Sequence, residues 1–124
     1  MQMKLSQYPS AIAQAAHTVN EVDAQLAAAH LVINRMEGNA DKTVAFEQDL
    51  KNDNQRKARR FELLMVNLEY QQALNTMMRL SAEKANAVAH LEYLRNQFSV
   101  AKLETRLAIA RQLAGSEALE LVGV

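Results

Sequence analysis

The sequence predicts an all-α protein: a helical hairpin with one very long second helix, held by coiled-coil packing and completed as an oligomer. Three observations predict it. Alanine, the strongest helix former, fills 21 of 124 positions, against three glycines and one proline as breakers. Between Gly38 and Gly115 there is no glycine and no proline, so nothing in that span punctuates a helix. Apolar residues also recur at alternating three- and four-residue steps. That spacing puts a stripe on one helix face and, sustained over several heptads, builds a coiled coil.

The first helix is expected over residues 10–37, with Ser10 as N-cap after Pro9. Ile12, Val19, Leu26 and Ile33 recur every seven residues, and Ala15, Val22, Ala29 and Met36 repeat the interval three residues later. Gly38-Asn39 then reads as a helix stop, since glycine favours the position just past the last periodic residue.

A second helix, or two collinear ones, is expected over 41–113. Leu63, Val66, Tyr70, Ala73, Met77, Leu80, Lys84, Ala87, Leu91, Leu94, Phe98, Ala101, Thr105 and Ala108 keep one phase throughout. A strict seven-residue repeat implies left-handed supercoiling against a partner helix. Phe46 and Leu50 are expected to pack back on the end of the first helix, and residues 51–60 are read as a solvated length of continuous helix. The alternative is an irregular join around Asn52 to Asn54, where asparagine and aspartate compete for the backbone. The tail, 114–124, is expected to fray or to dock through Leu119, Leu121 and Val122.

A first helix of about 28 residues covers only part of a second one of over 70. The remaining stripe needs a partner, because a long exposed apolar seam is unfavourable in a monomer. A turn near Ser81 would give a three-helix bundle. The unbroken phase through Leu80, Lys84 and Ala87 instead favours a straight helix and a homo-oligomer, a dimer before other states. The expected oligomer seam is Leu63, Val66, Tyr70, Met77, Leu80, Leu91, Leu94 and Phe98. Lys84 either snorkels across this seam or fixes its register.

Charge and chemistry narrow the function. Lysine plus arginine equal aspartate plus glutamate at 14 each, so no global field draws the chain to nucleic acid or membrane. There is no cysteine, which suits a reducing compartment. Neither a signal sequence nor an apolar run of spanning length is read, so the expected location is cytoplasmic, without membrane partners. His17, His30 and His90 lack the one-turn spacing of helical metal sites. No glycine-rich phosphate loop or nucleophile motif occurs. No enzyme, metal site or cofactor is expected.

One charge anomaly remains. Residues 51–60 carry five cations, Lys51, Arg56, Lys57, Arg59 and Arg60, against Asp53 alone. The arginine fork suits phosphate, so the segment is a candidate anion or nucleic-acid contact. Against that, such a run is most often a solvated face, or a partner for Glu21 and Asp23 across a hairpin turning at Gly38.

Three segments also carry a family resemblance: Leu50-Lys51-Asn52-Asp53 with Gln55-Arg56-Lys57, then Glu69-Tyr70, then Leu91 to Glu104. Together they resemble small helical coiled-coil accessory proteins that phages and mobile elements encode near replication or recombination genes. The resemblance implies an accessory role beside DNA-processing proteins, with no catalytic residues to carry over. The expected function is thus a non-enzymatic coiled-coil adaptor or accessory protein, a homo-oligomer with an unknown protein partner. The alternative is a nucleic-acid-binding accessory protein that uses residues 51–60.

Overall fold

A computed structural model describes residues 3–121, and the side chains of residues 3–116. A 3-10 turn, Leu5–Gln7, leads into α1 (Tyr8–Phe46), followed by α2 (Asp53–Met65) and α3 (Leu68–Leu121). No strand occurs among the described residues, and α3 alone runs for 54 residues. The all-α class and the very long helix match expectation.

The helix limits differ, and the differences have physical causes. α1 does not stop at Gly38 but spans 39 residues. The Thr43 hydroxyl donates to the Asn39 carbonyl at 2.9 Å, the i−4 bond of a helix interior. Glycine within a helix costs about 1 kcal/mol relative to alanine. Continuing the helix puts Ala40, seven residues after Ile33, and Val44 on the core face, where both are buried. A buried valine contributes roughly 1.5–3 kcal/mol, so burial outweighs the glycine. Pro9 falls in the first turn of α1, where its missing N–H is no loss.

The chain reverses at residues 47–52, replacing the continuous helix expected over 41–60. Asn52 caps α2, its side chain accepting from the Gln55 amide at 2.9 Å, and Gln55 Oε1 accepts in return from the Lys51 amide at 2.7 Å. A second break, at Val66-Asn67, was not expected. Asn67 Oδ1 accepts from the amides of Glu69 (3.0 Å) and Tyr70 (3.3 Å), capping α3. The alternative of an irregular join near Asn52 is thus the one realised. At the other end α3 continues through Gly115 rather than stopping at 113, so residues 114–121 are helical. Of the proposed docking strip, the side chains of Leu119 and Leu121, and Val122 altogether, lie outside what is described.

The chain divides into two compact units, one of Thr18–Asn86 and one of Met1–His17 with Ala87–Val124. In the first, α1 and α3 run antiparallel. Lys84 Nζ donates to Asp23 at 2.6 Å and the Tyr70 hydroxyl donates to Glu37 at 2.9 Å. Each pair is fourteen residues from the other along both helices, two heptads without a slip. Ile33, Ala40, Val44, Leu64 and Leu80 are its buried apolar residues.

In the second unit, Tyr8, Ala15, Leu91 and Leu94 are buried. The rings of Tyr8 and Phe98 stack with centroids 5.3 Å apart, and Lys102 Nζ lies 4.4 Å from the Phe98 centroid. This stack joins the start of α1 to α3.

Candidate interaction surfaces

Arg56, Lys57, Arg59 and Arg60 of the basic segment lie in the first turns of α2, beside the end of α1, and Lys51 precedes the Asn52 cap. Arg59 Nε donates to Glu47 at 2.9 Å, and its Nη1 lies 3.4 Å from Glu62. Arg60 Nε donates to Asp41, and its Nη2 lies 3.7 Å from Glu37. Arg56 donates to Asp53 at 2.9 Å. All three arginines are therefore held by carboxylates of their own chain. The hydrogen bond and charge of Glu47 raise the Arg59 pKa above its ordinary value, and the hydrogen bond of Asp41 does the same for Arg60. Among the described residues Lys51 and Lys57 have no recorded ion pair.

The acids differ from those expected. A turn at Gly38 would have set the arginines against Glu21 and Asp23. With the turn at 47–52 they meet Glu37, Asp41 and Glu47, and Asp23 is taken by Lys84. Glu37 also accepts the Tyr70 hydroxyl, and burial, followed by that hydrogen bond, raises the Tyr70 pKa above its usual value. The cluster of Glu37, Asp41, Arg60 and Tyr70 clamps α1, α2 and α3 together. Lys84, half exposed, pairs through its amine with Asp23 of α1 at 2.6 Å.

The expected oligomer seam is largely covered within the chain. Leu80, Leu91 and Leu94 are buried, while Leu63, Tyr70, Met77 and Phe98 are half-buried. Val66 is the correction: it is 78% exposed. It sits at the break between α2 and α3, where the two helices no longer share one phase, and α2 buries Leu64 instead. The apolar surface open to a partner is therefore not residues 63–98 but what α1 leaves uncovered.

Two groups of exposed apolar residues stand out among the described residues, besides the exposed Leu31, Met78 and Tyr93. In the unit of Thr18–Asn86, Phe46, Phe61, Met65, Val66 and Leu68 are exposed around the reversal and the α2–α3 join. A groove of about 400 Å³ there is lined by Lys57, Arg60, Phe61, Leu64, Met65, Tyr70, Gln71 and Leu74. In the other unit, every residue from Lys102 to Ser116 is exposed, including Leu103, Leu107, Ile109 and Leu113. Among the described residues Ala101 is the last partly covered one of α3. Neither surface gathers groups for chemistry. The three histidines are exposed and far apart in sequence, and no group of three metal-ligating side chains occurs among the described residues. No helix among them is long and apolar enough to cross a membrane.

Neither a family model, nor a curated protein, nor a solved structure matches the chain.

The sequence carries the signal for the uncovered end of α3 on a second face. Ala101, Thr105 and Ala108 continue the expected stripe, whereas Leu103 and Leu107 fall on the other side of the helix at 100° per residue.

Proposed function

We propose that the chain works by association, as a homo-oligomeric helical interaction protein of the adaptor or accessory kind, with coiled-coil contacts and no catalysis of its own. The observation that carries this is the length of α3 beyond its cover. Fifteen consecutive residues, 102–116, are exposed, and four of them are large and aliphatic. A row of such side chains favours removal from water by about 25 cal/mol per Å², and a helix surface of this kind is a docking face. Light scattering coupled to gel filtration tests the reading. At micromolar concentration the mass should be at least twice 13.9 kDa; a monomer at every concentration tested would refute it.

Nucleic-acid contact through residues 51–60 has weaker support. The arginines best suited to phosphate are already paired with Glu37, Asp41, Glu47 and Asp53. A phosphate would have to displace those carboxylates.

A further inference from the structure

We propose that the uncovered end of α3 pairs with the same segment of a second copy in an antiparallel, two-fold contact, with Leu103 against the partner's Ala114 and Leu107 against the partner's Ala110. The proposal rests on the association reading and specifies its surface.

On α3 Leu80, Leu91, Leu94 and Phe98 lie on the face that α1 covers, while Met78 and Tyr93 are exposed. Beyond Phe98 the same face carries Ala101, Thr105, Ala108 and Ile109, with Leu113 on its flank, whereas Val100, Leu103, Leu107, Ala110 and Ala114 line the opposite face at steps of three and four. Val100, Leu103 and Leu107 are 49%, 65% and 49% exposed. This is a coiled-coil stripe of its own, turned away from the intrachain partner.

Self-pairing and its direction follow from size and charge. In a parallel pair each residue meets its own copy, so leucine stacks on leucine in two layers and alanine on alanine in the next two, which leaves the alanine layers loose. An antiparallel pair sets a leucine against an alanine in all four layers, the alternation that fills a core evenly. The flanking charges agree. Glu104 and Arg111 lie seven residues apart on one flank of the stripe, and an antiparallel pair brings Glu104 beside the partner's Arg111, twice by symmetry. A parallel pair brings Arg106 beside the partner's Arg111, a like-charge contact that opposes it. None of Glu104, Arg106 and Arg111 has a recorded ion pair within its own chain among the described residues, so all three are available.

Charge reversal in the full chain tests both partner and direction. Glu104→Arg alone sets arginine against arginine at both contacts, and Arg111→Glu alone sets glutamate against glutamate. Each variant should dissociate at a concentration on the order of tenfold lower affinity than the parent. An equimolar mixture of the two restores opposite charges at both contacts and should recover the parent's mass and affinity. Both positions are exposed, and unchanged helicity by circular dichroism confirms that folding is intact. Because the chain has no cysteine, Leu103→Cys and Ala114→Cys give a second readout. Under oxidation the mixture should form a disulfide dimer and neither variant alone should, since like positions lie about 16 Å apart along the axis. Tighter association of Arg111→Glu alone, or disulfides within each single variant, would overturn the proposal in favour of a parallel pair. A dimer indifferent to every change would place the contact elsewhere and leave the association reading standing. A monomeric parent would sink both.

Discussion

Gly38→Ala decides between two folds by the sign of its effect. If α1 ended at Gly38, as the sequence suggests, the glycine would adopt the left-handed conformation of a helix C-terminus. A side chain there costs roughly 1–2 kcal/mol, so alanine would destabilise. In the structure Gly38 lies inside α1, and a Cβ added to it meets no heavy atom within 4 Å. There is then no steric penalty to set against the gain in helix propensity, and alanine should stabilise by about 1 kcal/mol. For a chain of this size that is a rise in melting temperature of about 3–5 °C. The assay is thermal unfolding by circular dichroism at 222 nm, at equal chain concentration, because an oligomer's midpoint depends on concentration. A fall in midpoint would refute the continuous helix. It would also remove the pairing of Arg59 and Arg60 with Glu47 and Asp41, which depends on the chain reversing after residue 46.

Three further outcomes test the packing and the cluster. Leu94→Ala should destabilise by about 2–5 kcal/mol as a buried core truncation, whereas Val66→Ala should stay within about 0.5 kcal/mol; equal effects would restore the single phase first expected across the α2–α3 join. Replacing Arg56, Arg59 and Arg60 with glutamine should lower the melting temperature more at low than at high salt, because the lost pairs are partly exposed and screened; loss of DNA binding at unchanged stability would instead identify the arginines as phosphate contacts. Tyr70 ionises at higher pH folded than unfolded, so its share of stability is complete below pH 10, its unfolded value, and is lost as pH rises through the folded one. Tyr70→Phe should therefore flatten the decline in stability above pH 10, and an unchanged decline would place its cause elsewhere.

Periodicity conveyed the face of each helix better than its ends. Ile12, Ala15, Val19, Val22, Leu26, Ala29, Ile33 and Met36, the full expected stripe of α1, are all buried or half-buried, because a heptad of apolar side chains leaves the backbone one favourable face. Helix ends are settled by smaller terms. Gly38 was legible as a stop on local grounds, yet Ala40 at seven residues from Ile33 already continued the stripe past it. Where a local penalty of about 1 kcal/mol opposes burial of another turn, burial wins. Asn52 and Asn67 look alike as potential caps. Only the first stands in a polar run; the second interrupts an apolar one without shifting its spacing, so the break at Val66-Asn67 left no mark in the pattern.

The basic segment shows why a site is harder to locate than a face. Its cations were plain in the sequence, but their partners depend on where the chain turns. Moving the reversal from residue 38 to 47–52 carries the arginines from Glu21 and Asp23 to Glu37, Asp41 and Glu47, and converts a free anion site into a clamp. The same displacement lengthens α1 by about two and a half turns and lets it cover Tyr70, Leu80, Leu91 and Leu94. What α1 does not reach is the segment after Ala101. A stripe followed on one face only misses it, because Leu103 and Leu107 stand on the other side of α3. That second stripe is itself the informative signal. Leu103 and Leu107 gather there next to alanines that match them in reverse order and between charges that match each other the same way. A segment with that pattern is complementary to itself, and its partner is therefore to be sought first in another copy of the chain.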